Sequence, residues 1–332
     1  MSRAAWERFG WRSSELPREP LDEATRRAAD LPQTLQPVPG DDVVQHPVFD
    51  PSLKHHQKAY RATDPRFGDP ARGQAWREAR RRALHLVLDA IATSPWVDAL
   101  VLRGSVLMSL WFPDAAREPG DLDFVVVPDT WRIDDARTEQ MLQGIAMAAQ
   151  TLAETRAGDI RLLARGAVVE DIWTYDRVPG RRMVLPWRSP GLPGGHVQLD
   201  FVFNERLPDA PHSAQLPGGT VVQAATPELS LAWKLMWLVN DAYAQGKDLY
   251  DAVLLAERHP LRRELLHEVF RLSGEWPHRD REHILLDDVV EGIGYVEWNH
   301  FVTEYPQFKD AEREYADRLV RALKGTFQQA AD

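Results

Sequence analysis

Two segments of this chain place carboxylates inside strongly β-type, apolar runs, and this pattern limits both the fold and the chemistry. Residues 121–127 read Asp-Leu-Asp-Phe-Val-Val-Val, and residues 197–203 read Val-Gln-Leu-Asp-Phe-Val-Phe. Because side chains alternate between the two faces of a strand, Asp121 and Asp123 share one face. An unpaired charge within a buried strand is costly. The segments therefore predict buried strands whose carboxylates have a partner.

The acids Asp121 and Asp123 predict a cation site, since two neighbouring carboxylates repel each other unless a cation lies between them. Mg²⁺ suits this position because it takes oxygen ligands, commonly one or two carboxylates with substrate phosphates; Mn²⁺ is the alternative ion. Asp200, alone at the centre of the second segment, is expected to complete a two-metal site. The alternative interpretations are a turn cap for the Asp-x-Asp pair and a solvated edge-strand position for Asp200.

A Gly-Ser pair precedes the first acidic segment and opens a predicted helix at 104–111. Gly104 would let the backbone approach a phosphate closely, Ser105 would add a hydroxyl, and a helix N-terminus attracts anions. The order of strand, Gly-Ser turn, helix and Asp-x-Asp strand favours a triphosphate site beside the metal site. Arg103 and Arg117 flank this region, either as phosphate ligands or equally as surface residues.

The composition excludes several other chemistries. The 332 residues include no cysteine, which rules out disulfides, Cys-ligated zinc, iron–sulfur clusters and thiol nucleophiles. The formal net charge of −10 argues against a protein that coats DNA or RNA. Walker-type, Rossmann and Gly-x-Ser-x-Gly motifs do not occur. Neither a signal-peptide-like segment nor an apolar run of roughly 18–20 residues is present, so we expect a cytoplasmic protein with no membrane partner.

The chain is predicted to have three parts: a Pro-rich N-terminal arm at 1–70, a core at 71–220 and a helical domain at 221–332. The arm is expected to wrap over the core, with Trp6 and Trp11 docked and a short helix near 21–31.

A helix predicted at 74–93 carries a basic outer face, for which a solvated surface is favoured over a stripe that contacts phosphates or RNA. Its arginines are Arg77, Arg80, Arg81 and Arg82.

The remaining periodicities predict an α+β fold with an α/β core. The predicted strands are 97–102, 122–127 and an antiparallel meander of 167–175, 182–186 and 196–204. The predicted helices are 135–155, one opened by Thr226-Pro227-Glu228, and those at 248–258, 261–272, 282–291 and 310–327.

The order of Gly104-Ser105, a fifteen-residue spacer, Asp121-x-Asp123 and a distant Asp200 resembles the nucleotidyltransferases of the DNA polymerase β superfamily. The spacer is longer than the shortest ones of that superfamily. More narrowly, residues 117–124 and the Lys-Asp-Leu-Tyr-Asp run at 247–251 resemble the AbiEii/AbiGii toxin nucleotidyltransferases. The resemblance covers about residues 78–258. It implies a polymerase-β-like mixed sheet flanked by helices and followed by a C-terminal helical lobe.

The same resemblance adds a lysine on the first helix of the helical lobe and acids at the start of the next, where Lys234, Asp248 and Asp251 stand. A cation at Lys234 would stabilise the charge that moves onto the leaving pyrophosphate, which is favoured over a lysine that only snorkels from its helix. Asp248 is also explained as a first-turn acid stabilised by the helix dipole. The sequence does not choose between Asp248 and Asp251.

The implied activity is Mg²⁺-dependent transfer of NMP from an NTP to an acceptor hydroxyl, a reaction of the EC 2.7.7 type. The family resemblance implies an RNA 3′ end, especially that of a tRNA, as acceptor. It also implies a toxin of a toxin–antitoxin or phage-defence system, with an antitoxin as partner. The alternatives are transfer to a small molecule or a protein hydroxyl, and a non-catalytic nucleotide-binding protein of the same fold.

Overall fold

The computed structural model describes residues 3–174, 178–278, 281 and 283–328, and the chain divides into two compact units. Each unit is assembled from separate stretches of sequence, and the arm at 1–70 lies within unit 1. The predicted boundaries at 70 and 220 remain predictions. Unit 1 comprises Met1–Leu100, Pro119–Asn204 and Gln215–Val222, and unit 2 comprises Val101–Glu118, Glu205–Ala214 and Gln223–Asp332.

The described residues form eleven α-helices, and the last six follow one another in the C-terminal part of the chain. They are α1 (Arg3–Arg8), α2 (Glu23–Ala28), α3 (Pro70–Ala92), α4 (Ser105–Trp111), α5 (Ala136–Thr155), α6 (Pro227–Asn240), α7 (Gly246–Arg258), α8 (Arg263–Ser273), α9 (Leu286–Ile293), α10 (Trp298–Glu304) and α11 (Glu312–Gln328).

Twelve β-strands occur in the same residues. They are β1 (Val43–Val44), β2 (Pro47–Phe49), β3 (Tyr60–Ala62), β4 (Arg66–Phe67), β5 (Leu100–Arg103), β6 (Asp121–Val126), β7 (Arg161–Leu162), β8 (Val168–Thr174), β9 (Val178–Arg188), β10 (Gly195–Val202), β11 (His212–Gln215) and β12 (Val221–Ala224).

Most of the predicted elements are present with shifted ends. The strand predicted at 97–102 is wrong in its first half, because residues 97–99 form a 3₁₀ turn with Asp98 exposed. Several short strands and the helices α1 and α10 were not predicted, since they are too short to show a periodicity. Tyr175 and Glu282, which two predicted elements include, lie outside the described residues.

Unit 1 contains a mixed sheet in which β6, β10, β9 and β7 follow one another, and β8 also pairs with β9. Strands β6 and β10 are parallel. Strands β8, β9 and β10 are successive antiparallel neighbours, which confirms the predicted meander. The mixed sheet and its surrounding helices confirm the predicted fold class.

One face of this sheet is apolar and packs against α3. Leu122 and Phe124 are fully buried there, and the rings of Phe124 and Phe201 stack with centroids 5.6 Å apart. A Cβ atom at Gly195 would lie 2.8 Å from Trp76 of α3, so the helix approaches β10 closely at this point. Because side chains alternate along β6 and β10, the acids project from the opposite face.

The N-terminal arm has a small hydrophobic core of its own. Trp6 is buried in it as predicted, but Trp11 is 65% exposed, so the prediction that Trp11 docks is wrong. The Trp11 ring lies beside that of Tyr60, with centroids 5.1 Å apart, and its outer side faces solvent. The predicted short helix is α2, which begins after the N-cap Asp22. The core consists of Trp6, Phe9, Leu16, Leu31, Leu35 and Tyr60.

Helix α3 does not present an unbroken basic face. Arg80 is only 4% exposed, forms an ion pair with Asp64, and lies 5.4 Å from the centroid of the Trp76 ring. The prediction of an outward Arg80 is therefore wrong, because the helix turns this side chain into unit 1. Arg82 forms an ion pair with Asp159 at the surface.

Helix α6 lies at the centre of unit 2, where it packs against α7, α8 and α9. Its start agrees with the prediction, since the Thr226 hydroxyl accepts a hydrogen bond from the Leu229 N–H at 3.1 Å and Pro227 follows the cap. Gly292 marks the closest approach of α9 to α6, because a Cβ there would press against the carbonyl group of Leu238.

In the part of the chain that the structure describes, every helix is too short or too polar to span a lipid bilayer.

Replacing Gly292 with alanine is expected to lower the free energy of unfolding by about 1–3 kcal/mol, because the new methyl group has no space beside Leu238. Gly325→Ala is the matched control, since nothing lies within 4 Å of its Cβ position in α11. It should raise the stability by about 0.5–1 kcal/mol through helix propensity. Urea unfolding followed by circular dichroism measures both. Equal stability of the two variants would contradict the close approach.

Candidate functional site

Three carboxylates share one face of the sheet in unit 1. In the parallel pair of β6 and β10, Asp123 lies opposite Asp200, and Asp121 lies opposite Gln198. Such partners project from the same face of adjacent strands about 4.8 Å apart. Asp121 and Asp123 are half-buried, whereas Asp200 is 8% exposed. The strand register thus assembles acids that lie almost eighty positions apart in the sequence.

Arg182 of β9 holds the carboxylate of Asp200 with two hydrogen bonds. Its Nε donates to Oδ1 at 2.9 Å, and its Nη2 donates to Oδ2 at 2.8 Å. The remaining Nη1 donates to Oδ2 of Asp50, in the N-terminal arm, at 2.7 Å. Gln198 donates from Nε2 to Oδ2 of Asp200 at 3.2 Å. Asp200 is therefore fixed in orientation by its neighbours on β9 and β10.

Burial and neighbouring charges shift the pKa values of these groups in opposite directions. Burial raises the pKa of Asp200, and the charge of Arg182 opposes this shift only in part. Burial also disfavours the ionised form of Asp50, but the charges of Arg182 and Arg61 outweigh it and hold the pKa of Asp50 below its ordinary value. Burial alone would lower the pKa of Arg182, yet the charges of Asp200 and Asp50 raise it well above its ordinary value.

The donor set of this face fits a hard divalent cation. All three predicted ligands are carboxylates, and Mg²⁺ is commonly bound by one or two carboxylates together with substrate phosphates. Asp121 and Asp123 supply such a pair on one face of β6. Among the residues that the structure describes, no three His, Cys, Asp or Glu side chains form a group that could by itself hold a metal ion.

In unit 2, Arg103 is buried and bound to protein groups. Its Nη1 donates to Oε2 of Glu205 at 2.8 Å, and its guanidinium lies over the rings of Trp233 and Trp237, 5.3 and 5.4 Å from their centroids. Only 4% of the residue is exposed. These contacts explain Arg103 as part of the packing of unit 2.

Gly104 and Ser105 form the predicted turn into α4. Gly104 is the N-cap residue and has φ +81°, a backbone conformation that favours glycine. Ser105 is the first residue of the helix and is buried. The local geometry that the sequence predicts is therefore present.

A second charged cluster in unit 2 brings together Arg117, Lys234, Asp248 and Asp251. Arg117 donates from Nε and Nη2 to the two carboxylate oxygens of Asp251 at 3.1 and 2.8 Å. The Nζ atom of Lys234 lies 2.6 Å from Oδ1 of Asp248 and 3.3 Å from Oδ2 of Asp251. Two cations and two carboxylates thus form a charge-balanced network.

The network is deeply buried, with Asp251 fully inaccessible and Lys234 6% exposed. Burial would raise the pKa of Asp251, but Arg117 and Lys234 lower it below its ordinary value. Burial would lower the pKa of Lys234, but Asp248 and Asp251 raise it above its ordinary value. The partners of Asp251 and Lys234 therefore favour the charged form of each of these two side chains.

Arg182 and Asp50 were not among the predicted site residues. The sequence does contain a signal for Arg182, because this charged residue directly precedes the apolar run Met-Val-Leu-Pro at 183–186 and so indicates a charge within a strand. Its partners depend on the register of β9 against β10 and on an arm residue 132 positions away. Neither can be obtained from local periodicity.

Comparison with solved structures finds a similarity to an antigenic nucleotidyltransferase-like protein from Paracoccidioides brasiliensis. The sequence identity is 15% and the TM-score is 0.35, over 70% of this chain and 93% of that protein. No curated protein matches the chain.

The family model described as "Nucleotidyl transferase AbiEii toxin, Type IV TA system" matches residues 86–327, well over half of the chain. The match includes the three carboxylates of unit 1 and the charged network of unit 2, and it begins after the N-terminal arm. It confirms the resemblance carried by the Gly-Ser, Asp-x-Asp and Lys-Asp-Leu-Tyr-Asp motifs. This chain therefore belongs to the AbiEii family of nucleotidyltransferase toxins of type IV toxin–antitoxin systems.

Proposed function

We propose that this chain transfers a nucleoside monophosphate from an NTP to a hydroxyl at an RNA 3′ end, foremost that of a tRNA, with Mg²⁺ as its metal. The observation that carries the proposal is the register of β6 and β10, which aligns Asp123 with Asp200 and keeps Asp121 on the same face. The family supplies the reaction class and implies a cognate antitoxin as partner. The choice of RNA rests on the family resemblance.

Asp121 and Asp123 would hold Mg²⁺, with Asp200 as the third carboxylate. When bound, Mg²⁺ supplies Lewis-acid stabilisation of the charge that develops on the phosphoryl oxygens. The nature of the donors supports this assignment, because carboxylate oxygens are the ligands that Mg²⁺ prefers.

Asp200 is the group that we propose to accept the proton of the attacking hydroxyl. Its carboxylate is held by two N–H groups of Arg182, so its oxygens have a defined direction. Orientation matters because a general base must lie within hydrogen-bond reach of the proton that it removes.

Lys234 and the Gly104-Ser105 turn are proposed to bind the triphosphate. The ammonium group of Lys234 has three N–H donors, and Asp248 and Asp251 account for two of them. The third is proposed to donate to the β- or γ-phosphate, where a cation stabilises the leaving pyrophosphate. Arg103 and Arg117 are assigned to packing, since Glu205 and Asp251 bind their guanidinium groups.

Between the two acids near Lys234, we propose Asp251 as the one on which the function depends. Asp251 contacts both Arg117 and Lys234, whereas the hydrogen bond that Asp248 accepts comes from Lys234. Removing the charge of Asp251 would leave two buried cations with one carboxylate between them.

Asp251→Asn is expected to lower the free energy of unfolding by about 3–5 kcal/mol, because it breaks a buried ion pair. Asp248→Asn should cost less, since Lys234 keeps Asp251 as a partner. Urea unfolding measures the stability, and NMP transfer per folded molecule measures the function. A larger loss of both quantities in the Asp248 variant would contradict the assignment.

The reaction itself is tested by incubating the chain with each α-³²P-NTP, Mg²⁺ and total RNA. Label should enter small RNA, and Asp121→Asn or Asp123→Asn should reduce the rate by about 100-fold or more, since bound metal supplies several kcal/mol of transition-state stabilisation. Asp98→Asn is the matched control, because Asp98 is an exposed acid in the same unit. It should label RNA at the normal rate.

Label on a protein or a small molecule, with the same loss of labelling in the Asp121 and Asp123 variants, would contradict RNA as the acceptor. It would still support nucleotidyl transfer. Label in RNA that persists at the normal rate in Asp121→Asn and Asp123→Asn would contradict the role of these acids. Binding of NTP without any transfer would favour the non-catalytic alternative.

A further inference from the structure

Arg182 joins the N-terminal arm to the proposed site. In the sheet of unit 1, Glu170, Arg182, Asp200 and Asp123 are successive cross-strand partners on β8, β9, β10 and β6. Their side chains therefore share one face in a single row. Arg182 is the cation of this row and is 4% exposed.

Two arm residues also contact the guanidinium of Arg182. Asp50 accepts a hydrogen bond from Nη1 at 2.7 Å, and the Ser52 hydroxyl lies 3.2 Å from Nη2. Ser52 also donates to Oδ1 of Asp50 at 2.7 Å. Asp50 caps a 3₁₀ turn at residues 51–53, which fixes both arm residues relative to each other.

A second contact fastens the arm to the same row. The carboxylate of Glu170 accepts hydrogen bonds from the backbone N–H groups of Gln33 and Thr34 and from the Thr34 hydroxyl. The arm thus contacts two adjacent members of the row, Glu170 and Arg182. Residues 33–52 lie before residue 86, where the family match begins.

We propose that the arm is a functional part of the site, in which Asp50 and Ser52 fix Arg182, and Arg182 orients the carboxylate of Asp200 toward the metal and the acceptor hydroxyl. This inference rests on the proposed function. Arg182 is accordingly a positioning residue that acts through Asp200.

The geometry of a guanidinium suits this role. A planar fork that donates to both oxygens of a carboxylate fixes its plane, which a lysine ammonium cannot do. A carboxylate has about four lone-pair sites, so the three N–H bonds from Arg182 and Gln198 still leave a lone pair of Asp200 for a cation. Arg182 also offsets the repulsion among Asp50, Asp121 and Asp200, whose charges act on one another.

The test compares Arg182→Lys and Asp50→Asn with two matched controls. Arg181→Lys changes the adjacent residue of β9, which pairs with Asp171 on the opposite face of the sheet. Asp42→Asn removes an arm carboxylate that pairs with Arg72. Binding of Mn²⁺ alone, followed by electron paramagnetic resonance, is the main readout, and kcat and KM for NTP are the second.

Arg182→Lys and Asp50→Asn should each weaken Mn²⁺ binding by about 10–100-fold, the usual effect of losing a group that orients a metal ligand. They should lower kcat and change KM for NTP little, because the triphosphate is assigned to other residues. Both control variants should bind Mn²⁺ as the unmodified chain does. Lysine keeps the positive charge but lacks the planar fork. A loss of Mn²⁺ binding in Arg182→Lys would therefore show that Arg182 acts by orienting Asp200 and not by its charge alone.

The inference would be overturned if Arg182→Lys and Asp50→Asn fold and keep the Mn²⁺ affinity and kcat of the unmodified chain. In that case, loss of Mn²⁺ binding in Asp121→Asn would still support the proposed function. A chain that binds no Mn²⁺, or whose binding survives in Asp121→Asn and Asp123→Asn, would instead overturn the proposed function and this inference with it. If Arg182→Lys does not fold, Asp50→Asn and the milder Ser52→Ala decide by the same criteria.

Discussion

Repulsion among carboxylates on one face of the sheet is the constraint on which the rest of unit 1 depends. The parallel register of β6 and β10 brings Asp121, Asp123 and Asp200 together, and like charges at such separations oppose folding unless a cation offsets them. Arg182 supplies one such cation from within the chain. We propose a divalent metal as a further cation beside the two acids on β6, which would link the buried ion pair to the proposed chemistry.

Unit 2 balances its buried acids with cations of its own chain. Arg117 and Lys234 balance Asp248 and Asp251 in a network that is almost completely shielded from water. Buried charges of this kind are stable only as a set, because the loss of one member leaves another without its partner. The lysine that the resemblance assigns to the triphosphate is therefore held in one position, at the cost of a network sensitive to single substitutions.

Local sequence rules predict the acids well and their partners poorly. The period-two pattern placed Asp121 and Asp123 on one face, and the apolar run around Asp200 predicted a buried strand, because both depend only on neighbouring residues. Arg182 and Asp50 were not predicted as site residues, because their contacts depend on strand register and on the path of the arm. The sequence predicts Arg80 on an outer helix face and Arg103 as a phosphate ligand or a surface residue, but tertiary packing buries both against tryptophan rings.

Crystals grown with Mn²⁺ and a non-hydrolysable NTP analogue would test the central claim most directly, because anomalous scattering locates the metal independently of activity. The account predicts a Mn²⁺ ion bound by the carboxylates of Asp121 and Asp123 and by phosphate oxygens of the analogue. It also predicts that Arg182 still holds Asp200. A metal bound elsewhere, with neither Asp121 nor Asp123 as a ligand, would contradict it.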